Sequence, residues 1–346
     1  MKFLRRAFLL AVVTAVMAAA LIYGLVAVCI YGPSQRLGDL VVMSAGEASF
    51  TRTLLPLWIS SAQLQQITAR NAVQDTDAVT DTSLVTAGQA GSTPADSTAS
   101  PYLVTTSYDD GIEVRDGMEL HTISGTTWSG IMLLVKDPSR VFVGTSQDAY
   151  SSDTPGLSLP AIAQRFDAQA AVNGAFFEDD GGVGNGGMPL GFVFSGGKQL
   201  AGGSDTPYLL IGFDADNVLI CGTMTGAEAQ TRGIRDALSC KPFLIVNGEP
   251  ADLTGSGSGL NPRTAIGQRA DGAVCLLVID GRQTHSLGAS LADLEDVMLA
   301  FGAVNAGNLD GGGSTALYYD GEVLNHVSSV YGMRPIPDAI CIKRQG

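Results

Sequence analysis

From Ala7 to Tyr31 the chain carries no charged residue, and this run limits what its first part can become. A segment inside a bilayer must satisfy every backbone N–H and C=O internally, which leaves a helix. At about 1.5 Å per residue the run is long enough for a hydrocarbon core of roughly 30 Å. Lys2, Arg5 and Arg6 precede it, so residues 1–6 are expected to stay cytoplasmic while the rest crosses. Ala18-Ala19-Ala20 offers a small-residue cleavage site, but the apolar run continues past it to Tyr31. The expectation is a single-pass signal anchor over 7–31, embedded in the lipid bilayer of the cell membrane, with an extracytoplasmic domain behind it.

The remainder of the 346 residues is acidic, glycine-rich and sparing in charge: net charge is −14, charged residues make up 16%, and glycines number 43. A nucleic-acid binder needs a basic surface to neutralise phosphates, so that class is excluded. Residues 32–71 read as a helical stalk, in which Ser60 and Gln63 fit a capping box and Leu64 and Ile67 follow at helical spacing. Residues 72–101 are rich in Thr, Ser, Ala, Gly and Asp and contain no Lys or Arg, a composition expected of a flexible linker. The folded domain is expected over 102–346. Cys221, Cys240, Cys275 and Cys341 contain no C-x-x-C spacing. Cys275 and Cys341, both in strand-like runs, read as small buried apolar residues rather than a disulfide pair.

Within the domain the dominant signals are short apolar runs joined by turn pairs. Asn247-Gly248, Asp271-Gly272 and Asp320-Gly321 each separate two such runs and predict hairpins. Leu159 to Asp167 and Ser290 to Phe301 have helical periodicity, the first with Pro160 inside its start and the second ending at Gly302. Many strands with two main helices predict an α+β fold with a mixed, largely antiparallel β-sheet, preceded by the transmembrane helix and stalk.

Four segments place polar residues where strands meet glycine: Asn173 to Glu178, Asn261 to Gly267, Asp280 to Gln283, and Asn308 to Thr315. Rigid scaffolds present functional groups at such ends. Asp310-Gly311-Gly312-Gly313 stands out, because a third consecutive glycine costs backbone entropy and implies a close approach to a ligand or another segment. Asp310, Glu178 and Asp280 are the candidate catalytic carboxylates of a glycosidase. Arg263 and Arg282 suit a phosphate, and N–H groups of the glycine loop suit an anion. The loop is not a P-loop, since no Gly-Lys-Ser/Thr follows, and Ser314 is outside any G-x-S-x-G. His121, His285 and His326 lack H-x-x-x-H spacing, which argues against a histidine zinc site. No cofactor is expected, although a divalent cation on Asp310 and backbone oxygens stays open.

The ordered set Arg263 to Gly267, Asp280-Gly281-Arg282, a helix, Asn308 to Thr315, Asn325 and Arg334 resembles the phosphodiester glycosidase family over roughly Asp167 to Ile342. The resemblance implies hydrolysis of a sugar-1-phosphate diester, and Asn173, Glu178, Arg263, Asp280, Arg282, Asp310, Gly311, Gly312 and Ser314 fall at matching motif positions. Chemical inference from the residue types gives the roles: catalysis by Asp310, Glu178 and Asp280, and substrate or phosphate binding by Asn173, Arg263, Arg282, Gly311, Gly312 and Ser314. One departure is Ala175, where the family has glycine; its methyl group is expected to crowd a ligand or demand a negative φ. The expected substrate is a glycosyl-1-phosphodiester of an envelope or extracellular glycan. The alternatives are a non-catalytic glycan- or teichoic-acid-binding module and an exopolysaccharide assembly protein.

Overall fold

The computed structural model describes residues 2–73, 76–86, 113–179, 184–239, 241–253, 259–329 and 332–345. Residues 87–101 of the expected linker, the expected start of the domain at Tyr102, and Cys240 lie outside them. The described residues fall into two compact units, one up to Ala72 and one from Val73 onward, Gly259 aside.

The first unit is helical. Lys2–Tyr31 is one helix with mean hydropathy 2.5 and no buried residue, long and apolar enough to cross a membrane. Gln35–Glu47, Ser49–Leu54 and Ser61–Arg70 follow, the last opened by the Ser60/Gln63 capping box. Val42, Leu55, Ile59 and Ile67 form a small core. Arg70 and Asn71 both donate to the Asp39 carboxylate, which closes the helices on one another. These residues therefore pack as a tertiary unit.

The second unit carries three sheets, and every pairing among the described strands is antiparallel. The first sheet runs in the order Glu113–Arg115, Met118–Ser124, Ser129–Val135, Val274–Ile279, Arg263–Arg269, Ala303–Asn308, Phe243–Val246, Glu249–Pro250. The second is Lys198–Ala201, Val193–Ser195, Ile234–Ser239, Tyr208–Asp214, Leu219–Met224. The third is Glu322–Val323, Leu317–Tyr319, Ala168–Asn173, Asp338–Lys343, Val141–Thr145. All three face one shared core that includes Leu133, Val143, Val172, Phe213, Leu276 and Ile340. The outer face of the first sheet is covered by the helix Leu291–Ala300 through Leu294, Val297 and Met298. The outer face of the third is covered by Leu159–Arg165 through Leu159, Ile162 and Ala163. Cys275 and Cys341 are buried and unbonded, in different cores.

Two expectations change. The helix Gly226–Thr231 and the strand Ile234–Ser239 were not anticipated, although Thr225 and Glu228 spell a capping box that the structure forms. The expected linker is not free over its described part. Residues 76–86 lie against the sheets, where Thr80 and Val85 are buried. The Thr80 N–H donates to the Cys221 carbonyl at 2.9 Å, and its Oγ1 accepts from the Cys221 N–H at 2.8 Å and donates to Asn305 Oδ1 at 3.2 Å. Composition could not show this, because the segment is held by hydrogen bonds to Cys221, Asn247 and Arg232 and by burial of Val85, partners that lie far away in the chain. Thr80→Ala leaves the buried Cys221 N–H without its acceptor and should cost about 1–3 kcal/mol. Urea unfolding of the full chain checks this, and an unchanged midpoint would count against the docking of this segment.

Candidate active site

The strand ends named by the sequence meet at one place because sheet registers put them there. In the first sheet Arg263 pairs with Ile279, the residue before Asp280, and Ala265 pairs with Asn308, which leads to Asp310. In the third sheet Asn173 pairs with Ala339, beside Asp338. The buried Asn173 amide then joins the two sheets. Its Nδ2 donates to the Asp310 carbonyl at 2.6 Å, and its Oδ1 accepts from Thr264 Oγ1 at 2.7 Å and the Ala316 N–H at 3.2 Å. The Asp310 N–H also donates to the Gly174 carbonyl at 3.1 Å. Asn173, expected to bind substrate, thus spends both polar atoms on the protein.

Each glycine of the triplet has its own neighbour. A Cβ on Gly311 would meet the Pro262 carbonyl oxygen at 2.7 Å. Gly312 has φ +61°, and its Cβ would meet Arg282 Nη2 at 3.3 Å, so the guanidinium lies against the loop. A Cβ on Gly313 would meet Arg334 Cδ at 3.3 Å. The close approach read from the sequence is therefore met by backbone on one side and by two arginines on the other.

Asp310 keeps some solvent exposure, while the protein packed around its carboxyl pushes its pKa up to about 6. Ser314 and the Gly311 N–H, as donors, and the nearby Arg334 charge oppose that rise; the charge of Asp179 adds to it. Asp179 receives both arms of Arg334 at 2.7 Å, and the guanidinium sits over the Phe177 ring at 5.0 Å. Glu178 is exposed, and its carboxylate makes no hydrogen bond or ion pair among the described residues. The acid whose charge acts on Asp310 is Asp179, the residue after Glu178. Sequence reasoning could not separate two adjacent acids on one loop.

It also missed Asp338. This carboxyl is fully buried, accepts from the Ala175 N–H at 2.7 Å through Oδ1, and leaves Oδ2 without a hydrogen-bond partner among the described residues. Burial, with the Asp310 charge adding, pushes it up to about 7. Gly174 exists for this contact, since a Cβ there would lie 2.1 Å from Asp338 Oδ1. Ala175 does not crowd the site. Its side chain belongs to the shared core and its φ is not positive.

Arg263 is buried with Nε donating to the Ala289 carbonyl at 3.2 Å, and Arg282 donates to Asn261 Oδ1 at 2.9 Å. Asp280 is buried, and its Oδ1 accepts from Asn325 Nδ2 at 3.1 Å and the His326 N–H at 3.0 Å. Its Oδ2 lies 3.3 Å from His326 Nδ1 and 4.0 Å from His285 Nε2. Spacing along the chain argued against a histidine centre; the fold nevertheless gathers two of the three histidines on one carboxylate.

Two outcomes follow. Gly174→Ala forces Asp338 or its strand to move and should destabilise the domain by about 1–3 kcal/mol, read by thermal unfolding. Asp338 has a folded pKa of about 7, above the ordinary 3.8, so its contribution to stability is full below about 4 and is lost as pH rises through about 7. Unfolding free energy measured across that window should fall less steeply in Asp338→Asn than in the parent; equal slopes would refute the assignment.

Comparison with known proteins agrees with this architecture. The family description "Phosphodiester glycosidase" matches residues 166–343, which contain all four strand-end segments. An uncharacterized SPbeta prophage-derived protein, YomE, of Bacillus subtilis is 35% identical over 103 residues, 28% of this chain and 16% of that protein. N-acetylglucosamine-1-phosphodiester alpha-N-acetylglucosaminidase of Bos taurus is 30% identical over 176 residues, 46% of this chain and 32% of that enzyme. The match therefore spans a third or less of these two relatives. The catalytic domain of the zebrafish enzyme of the same name, solved in a form auto-inhibited by its pro-peptide, shares the fold at TM-score 0.55 and 22% identity, over 68% of this chain and 85% of that one. With half of its length under that one description, and with the glycine triplet, the arginines and the carboxylates held together at its strand ends, the chain belongs to the phosphodiester glycosidase family.

Proposed function

We propose that this chain hydrolyses a glycosyl-1-phosphodiester, with Asp310 at the reacting centre. The observation that carries the reading is the Asp310 carboxyl, raised to about 6, beside two arginine-bearing elements. A carboxyl with a pKa near the working pH exchanges protons in either direction, which is what acid–base catalysis requires. Substrate phosphate would lie toward Arg282 and the N–H groups of the glycine loop, since a guanidinium matches phosphate geometry. Water adds to the anomeric carbon, the bond from that carbon to the phosphoester oxygen breaks, and a free sugar and a phosphomonoester leave. Asp310 accepts the proton of that water or steadies the developing positive charge on the ring. Ser314 orients Asp310. Arg334 is held by Asp179 and tempers the pKa. Asn173 and Asp338 are positioning residues, buried behind the loop.

The helix Lys2–Tyr31 and its basic flank support an extracytoplasmic placement, and an envelope or extracellular glycan is then the accessible source of substrate. Asp310→Asn should lower turnover of a panel of glycosyl-1-phosphodiesters by about 100-fold or more with the unfolding midpoint retained. Near-parental turnover by this variant would remove Asp310 from the reaction. Binding of the panel by the parent chain without release of sugar would replace the hydrolase reading with that of a glycan-binding module. Arg282→Ala should raise KM more than it lowers kcat.

A further inference from the structure

The cluster of Asp280, His285 and His326 has features that the hydrolytic reading does not use. Its three donor atoms lie within 4.8 Å of one another, and no two of the residues are neighbours in the chain. We propose that these three residues form a binding site for a first-row divalent transition ion, zinc by preference. Two imidazoles and one carboxylate suit that class, whereas calcium and magnesium take oxygen donors. With Zn–N and Zn–O bonds near 2.0–2.2 Å, donors around a tetrahedral ion stand about 3.3 Å apart. His326 Nδ1 and Asp280 Oδ2 already stand 3.3 Å apart, and His285 Nε2 is 4.0 Å from the same oxygen. The imidazoles can close the remaining distance by side-chain rotation, since His285 is 49% and His326 72% exposed.

The surroundings are those of a prepared ligand set. The far oxygen of Asp280 is held by Asn325 Nδ2 and the His326 N–H, which orients the near oxygen toward the histidines, the outer support that metal-binding carboxylates require. Asn325 is itself anchored, its Oδ1 accepting from the Leu317 N–H at 2.8 Å. The His326 carbonyl accepts from Gln283 Nε2 at 2.7 Å, and Ser286 Oγ donates to the Asp280 carbonyl at 2.6 Å, so both histidine-bearing loops are tied to the same centre. Three protein donors leave at least one position for water or a substrate oxygen. The centre touches the glycine loop through Asn325, whose Nδ2 also lies 3.2 Å from the Thr315 carbonyl.

The site stands on this geometry and does not depend on the reaction proposed above. The test is calorimetric titration of the untagged full-length chain, after chelator treatment, with Zn²⁺, and with Co²⁺ as a spectroscopic probe. The expected result is one ion per chain, visible ligand-field absorption with Co²⁺, and affinity at least tenfold weaker in both His285→Ala and His326→Ala. These histidines are exposed, so both variants should unfold at the parental temperature without metal; Asp280→Asn is a poorer choice because it disturbs buried hydrogen bonds. Absence of one-to-one binding overturns the proposal, as does binding that survives either histidine substitution.

Discussion

The site depends on one buried amide. Asn173 sits at the end of a strand in the third sheet, with no solvent exposure, and bonds Thr264 of the first sheet and both sides of the glycine loop. An amide suits this position because it offers donors and an acceptor without a charge to desolvate. Thr264 and Ala316 are buried, so loss of the amide would leave their polar groups unsatisfied together. The strands of two sheets thereby end in one loop instead of two, and Asp310 is placed by backbone bonds before its side chain makes any contact.

The glycines follow from that convergence. Where two sheet ends, a proline carbonyl and two arginines meet, there is no volume for a Cβ at Gly174 or Gly311 and little at Gly312 or Gly313. The same crowding removes water from Asp310 and Asp338 and raises both carboxyls. Packing and electrostatics at this site are therefore one effect. The polar residues around the loop divide accordingly: Asn173 and Asp338 are consumed inside, while Asp310, Arg282 and the Asp280 cluster reach solvent or near it.

Much of the fold was legible because its signals are local. Asn247-Gly248, Asp271-Gly272 and Asp320-Gly321 each lie between paired strands, and Ser290 caps the helix that covers the first sheet. The overlooked strand Ile234–Ser239 lies inside the second sheet, paired with Val193–Ser195 and Tyr208–Asp214, and its mixed polarity gave no clear alternation. Asp236 within it is buried, its Oδ1 accepting from the Val143 and Gly196 N–H groups. A charged residue used in this way breaks the pattern on which strand reading relies.

The amino-acid sequence by itself determined an apolar helix at the start, the antiparallel hairpins, and four glycine-bearing strand ends in an order that marks the family. These are matters of composition, spacing and turn chemistry, which act over a few residues. Only the tertiary structure decided that the charge of Asp179 acts on Asp310, that Asp338 is buried, and that His326 reaches Asp280 across 46 residues of chain. Asp338 owes its place to strand register, because one residue of slip turns a side chain to the opposite face of its sheet, while Asp179 and His326 lie on loops that the packed strands carry. Register is set by the packing of the whole domain.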